Sequence, residues 1–156
     1  MPFQLRDPAL LKTRCLIDGR WLAAGDGTTI AVNNPATGEL VASVPRLGEA
    51  ETLEAIAAAE RAFHAWKTQA ADQRAAILHR WFALLMQHQE DLAQIMTAEQ
   101  GKPLAESRGE IAYAASYVQW FAEEARRVYG ATVPSPWNDR KIVVTKEPVG
   151  VCAAIT

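Results

Sequence analysis

Glu106 and Glu110 stand four residues apart, the spacing that sets two carboxylates on one helix face and could serve as a general acid and base. Their surroundings favour a plainer role. Arg108 and the Glu123-Glu124 pair fall in the same stretch, as on a solvated helix surface. His64, His79 and His88 never fall at the i, i+4 spacing that brings two imidazoles to one metal, so they are expected at surfaces or helix ends. Of the two thiols, Cys15 has only Arg14 beside it to lower its pKa, and Cys152 sits in an apolar run where burial would raise it. Neither is expected to act as a nucleophile, and no catalytic residue is assigned. Tyr113, Tyr117, Trp120 and Phe121 crowd one helix. Core packing is the expectation for most of them, with a ligand-facing role for one or two as the alternative.

The elements that would position these residues change character along the chain. Residues 14–22 form an apolar run broken by Asp18-Gly19, a tight hairpin turn. Thr28–Val32 and Glu39–Val44 flank a second turn, Asn33 to Gly38, in which Pro35 sets φ and Gly38 supplies the left-handed position. From Ala50 the period becomes helical, with Leu53, Ile56, Ala59, Phe63 and Trp66 on one face. Ile77, Leu78, Trp81, Phe82 and Leu85 mark a second helix; Leu92, Ile95 and Met96 mark a third that stops at Gly101. Pro103 suits the first turn of a fourth, expected to run to about Tyr129 with Leu104, Ile111, Ala114, Val118, Phe121 and Ala125 inward. Arg140–Thr145 is a β-branched run expected as an edge or hairpin strand. Val149–Ile155 is continuously apolar, as in a strand covered on both faces of a parallel sheet. Such a strand needs a crossover of about a dozen residues to reach its neighbour, so the chain is expected to stop at the end of the first core strand of an α/β domain.

At 156 residues, 49% hydrophobic and 22% charged, the composition is that of a globular domain. A net charge of -2 and no basic run longer than a pair make nucleic acid a poor partner. The first residues have no apolar signal region, no stretch approaches the length needed to span a bilayer, and a cytoplasmic location without membrane partners is expected. Two cysteines at opposite ends support neither a disulfide framework nor a zinc site. Neither a G-x-G-x-x-G nor a P-loop pattern occurs.

Four strings occur in a telling order: Ile17-Asp18-Gly19-Arg20-Trp21, Asn34 to Glu39, Glu99-Gln100-Gly101-Lys102-Pro103-Leu104, and Glu147-Pro148-Val149-Gly150-Val151. Together they resemble the amino-terminal third of the aldehyde dehydrogenase superfamily. The stretch from Ala98 to Pro134, with Gly109-Glu110-Ile111 and Trp120 to Glu124, is most similar to succinate-semialdehyde dehydrogenases and their glutarate-semialdehyde relatives.

The resemblance implies an α/β chain holding an incomplete Rossmann-like cofactor domain. Residues 1–130 would be its amino-terminal part, 131–147 the first strands of an oligomerisation arm, and 148–156 its first core strand. It further implies an enzyme that uses NAD or NADP, works through a cysteine thiohemiacetal and an asparagine oxyanion donor, and assembles as a homodimer or homotetramer. Those catalytic groups match no position of this chain; the asparagine would follow shortly in a Pro-Trp-Asn motif. Residue by residue, the family pattern carries over Ile155 and Thr156 to cofactor binding, Gly109 and Tyr113 to the substrate tunnel, and Glu99 with the Val32 carbonyl to a monovalent cation. Two alternatives stay open: a non-catalytic helical interaction module, and an aldehyde dehydrogenase for a different small aldehyde.

Overall fold

The computed structural model describes residues 4–155. Two hairpins come first. β1 (Cys15–Ile17) pairs antiparallel with β2 (Arg20–Leu22), and β3 (Thr29–Asn33) with β4 (Leu40–Pro45). The first turn needs positive φ at two successive residues, and Asp18 (51°) with Gly19 (73°) supplies it, as the sequence predicts. In the second, the Asn34 side-chain oxygen accepts from the backbone N–H of Ala36 at 2.9 Å and Thr37 at 3.3 Å, which folds the turn on itself.

Four helices follow: α1 (Glu49–Trp66), α2 (Ala71–Gln87), α3 (Gln89–Gln100) and α4 (Leu104–Glu124). Local chemistry explains their ends. Glu51 reaches back to accept from the Gly48 N–H at 3.0 Å, and Gln73 does the same for Ala70 at 3.2 Å, relieving unpaired donors at two N-termini. Gly101 closes α3 with φ 77°. The fourth helix ends five residues short of the expected Tyr129: the Arg127 N–H turns to the Glu124 carbonyl and the Tyr129 N–H to the Arg127 carbonyl, bonds too short in span to continue an α-helix.

The core is narrower than the apolar stripes suggested. It sits where α4 packs against α2 and α3, and its buried apolar residues are small: Ala75, Ala93, Ala98, Ala115 and Ala122, with Ile111 the larger exception and Ser107 and Asp91 buried beside them. Small side chains let helix axes approach closely. Phe121 and Ala114, expected inward, are exposed, because the buried face of α4 runs through Ser107, Ile111, Ala115 and Ala122 instead. The apolar face of α1 is likewise uncovered, with no buried residue. That helix touches β1 and is tied to the first hairpin by Arg20–Glu54 at 2.6 Å and Arg61–Asp18 at 3.1 Å.

A third hairpin, β5 (Ala131–Val133) with β6 (Ile142–Val144), forms within the stretch expected to carry strands, and every one of its residues is exposed. Residues 149–155 depart from expectation. They form no strand, Gly150 has φ 116°, and Val149 and Ile155 are 93% and 100% exposed. A parallel strand exists only through bonds to a neighbour, and no neighbour pairs with this segment among the described residues.

Candidate functional site

The α4 helix carries the side chains of interest on its uncovered face. Successive turns present Gly109, Tyr113, Tyr117 and then Trp120 with Phe121, all of them exposed. Tyr113 and Tyr117 are i, i+4 neighbours, so their rings meet on one side of the helix. The ring centroids lie 5.0 Å apart at 90°, and the hydroxyl oxygens are 2.8 Å apart. That edge-to-face geometry suits two aromatic quadrupoles, and it brings the hydroxyls into hydrogen-bonding reach. Tyr117's hydrogen bond, with its electrostatic influence, holds the Tyr113 phenol above its ordinary pKa. With Ser116, Trp120 and Phe121, the two tyrosines line an open cleft of 310 Å³.

A second cleft, of 520 Å³, adjoins the first and shares Trp120 and Phe121 with it. Trp66, Arg74, Leu78 and Lys146 close its far side. Its cations are partly committed: Arg74 donates to the Gln69 carbonyl, and Arg127 pairs with Glu124 at 2.6 Å. The two clefts meet at the rings of Trp120 and Phe121.

The remaining candidates sit apart from these clefts. Glu110 pairs with Lys102, so no free carboxylate couple forms with Glu106. Among the described residues no three of His, Cys, Asp and Glu converge as metal ligands. Cys15 is half-buried and Cys152 exposed, both free. The expected burial of Cys152 fails with the strand that would have covered it. Glu99 is exposed in the last turn of α3 and Val32 half-buried in β3, two elements in contact. Gly109 opens to space, since a Cβ there would meet nothing within 4 Å. Ile155 is fully exposed, and Thr156 lies outside the described residues. The described residues therefore do not by themselves build a dinucleotide crevice, which needs adjacent strand ends and a following helix N-terminus.

The sequence favours core packing for most of Tyr113, Tyr117, Trp120 and Phe121, with a ligand-facing role for one or two as the alternative, and the structure exposes all four. The i, i+4 spacing of the tyrosines is the sequence signal that puts Tyr117 beside Tyr113, and Ser116 carries no such signal.

Comparison with known proteins agrees with the fold and the strings. The family model described as "Aldehyde dehydrogenase family" matches residues 21–156. The chain belongs to the aldehyde dehydrogenase family. It is 56% identical over 153 residues to a 3-sulfolactaldehyde dehydrogenase of Pseudomonas putida, covering 98% of this chain and 32% of that protein. It is 53% identical over 153 residues to the NADP(+) succinate-semialdehyde dehydrogenase of Escherichia coli, with the same two coverages, 98% and 32%. A crystal structure of succinate-semialdehyde dehydrogenase from Burkholderia pseudomallei superposes with a TM-score of 0.94 at 53% identity, over 96% of this chain and 31% of that one. The chain thus spans about a third of the length of these relatives.

Proposed function

We propose that this chain forms the amino-terminal third of an NAD(P)-dependent aldehyde dehydrogenase whose substrate carries an anionic group at the end remote from the aldehyde, succinate semialdehyde in the first place. Sequence identity of 53–56% to such enzymes, held across nearly the whole chain, carries this reading. The relatives' names share one chemistry: a succinate half-aldehyde bears a carboxylate, and sulfolactaldehyde a sulfonate. Both tails are oxygen acids that would meet a hydrogen-bond donor in the same way. The α4 cleft, with its phenolic hydroxyls and aromatic walls, suits such a tail.

In this reading the nucleophile, the oxyanion donor and the water-activating base belong to a part of the enzyme outside these residues. What this chain contributes is a wall of the substrate passage, through Gly109 and Tyr113, and the segment around Ile155 and Thr156 that lines the cofactor once neighbouring strands pair with it. Glu99 and the Val32 carbonyl offer oxygen donors of the kind a hard monovalent cation takes. The exposed β5–β6 hairpin would serve as the start of an assembly arm in a homodimer or homotetramer.

The test compares the complete gene product with the 156-residue chain, using succinate semialdehyde and sulfolactaldehyde with NAD+ or NADP+. Steady cofactor reduction is expected from the complete product and none from the chain alone, which also should not bind either dinucleotide tightly by calorimetry. Turnover by the isolated chain would overturn the assignment of roles. A complete product that oxidises neither anionic aldehyde would overturn the substrate.

A further inference from the structure

The segment ahead of the first hairpin is clasped to the helices through a single carboxylate. Asp91, in the first turn of α3 and only 2% exposed, accepts from the backbone N–H of Arg6 at 3.0 Å and of Asp7 at 2.8 Å. Its charge makes both bonds stronger than bonds to a neutral oxygen. Asp7 joins this clasp to the short turn that follows. Its side chain accepts from the Ala9 N–H at 3.0 Å and its carbonyl from the Leu10 N–H at 3.1 Å, so turn and clasp share one residue. Little else fastens the segment, since no residue from Gln4 to Arg14 is buried. At its far end the Lys12 ammonium lies 5.0 Å from the Trp21 ring centroid, which keeps that end with the first hairpin. At its near end Gln4 forms one wall of a cleft of 490 Å³, whose other walls include Asn34, Glu90, Gln94, Thr97 and Leu104. Backbone with few buried apolar contacts and its hydrogen bonds gathered on one acceptor opens locally at lower cost than packed helices unfold.

We propose that residues 4–11 are a strap that opens from Asp91 as one unit while the helices stay folded, and that its opening removes one wall of the cleft beside α3.

Hydrogen exchange of the complete gene product, followed peptide by peptide in low urea, tests the first half. Amides of the strap should exchange at a rate that urea leaves unchanged, because local opening exposes little surface, whereas amides of α3 and α4 quicken as urea rises. Arg6→Pro removes one donor on the strap and leaves Asp91 in place. It should speed strap exchange roughly tenfold, the loss of one bond to a charged acceptor. Asp91→Asn removes the charge and should act in the same direction; Arg6→Pro decides the matter if that variant folds poorly. Strap exchange that climbs with urea as steeply as that of the helices, or that Arg6→Pro leaves unchanged, would overturn the proposal. For the second half, Gln94→Cys puts a thiol in the cleft wall, and its alkylation by iodoacetamide is read on its own peptide. Adding Arg6→Pro should quicken that alkylation by up to roughly the same tenfold, since labelling through an open state follows its population. Equal rates with and without Arg6→Pro would show that the strap guards no part of the cleft.

Discussion

The hydroxyls of Thr97 in α3 and Ser107 in α4 lie 2.8 Å apart, and Ser107 has no exposed surface at all. A small polar pair thus stands where two helices touch, among alanines. Removing one member leaves the other without its partner in a dry site, which costs about 1–3 kcal/mol, whereas replacing both with apolar groups of similar shape is nearly neutral. Thr97→Val is therefore expected to lower stability by about 1–2 kcal/mol. Thr97→Val with Ser107→Ala should recover much of that loss. Urea unfolding of the three chains checks it, and strictly additive losses would count against the pair.

Gly101 joins α3 to the second hairpin in a way no other residue could. Its φ of 77° lies in the left-handed region, and a Cβ at this position would come within 2.8 Å of Pro35 Cγ. Gly101→Ala should destabilise by more than about 1 kcal/mol, from backbone strain and the contact together. Pro35→Ala in the same chain relieves only the contact, so partial recovery in thermal unfolding is the expected outcome.

Asp91 anchors the start of the chain. Buried at the first turn of α3, its carboxylate accepts from the backbone N–H of Arg6 at 3.0 Å and of Asp7 at 2.8 Å. Those two bonds are the leading reason its pKa is held below the ordinary aspartate value, with the charges of Arg6 and His88 adding to the pull. Glu90, which accepts from Arg108 at 2.7 and 2.8 Å, is lowered too. A depressed folded pKa contributes stability that is complete above the unfolded value, about pH 4, and is lost as pH falls through the folded one. Asp91→Asn should be less stable at neutral pH and should show a flatter loss of stability as pH falls below about 4, the unfolded value. Circular dichroism against pH checks both, and an unchanged acid limb would remove Asp91 from the account.

The uncovered aromatic face of α4, the bare α1 stripe and the unpaired apolar segment at 149–155 leave much apolar surface exposed. Such patches template association. The 156-residue chain in solution is expected to form oligomers that grow with concentration. Light scattering that shows a concentration-independent monomer would refute this.

Much of the local structure was legible in the residues. Asp18-Gly19 can take a left-handed turn, Gly101 can end a helix, and a 3.6-residue period announces each helix before any contact is known. Family membership was legible as well, because it rests on strings and their order. Tertiary structure decided which stripe is covered. An apolar face at helical spacing shows that something should bury it, but not whether the covering layer belongs to the same residues. Hence the cluster of Tyr113, Tyr117, Trp120 and Phe121, most of which core packing was expected to take up, lines an open cleft, while Ser107, Ala115 and Ala122 fill the interior. The same reason undoes the strand at 149–155, whose composition suits a sheet interior but whose existence depends on bonds to a neighbour. The bond between Tyr113 and Tyr117 belongs to this second class: spacing put both rings on one face, and only rotamers in three dimensions set their hydroxyls 2.8 Å apart.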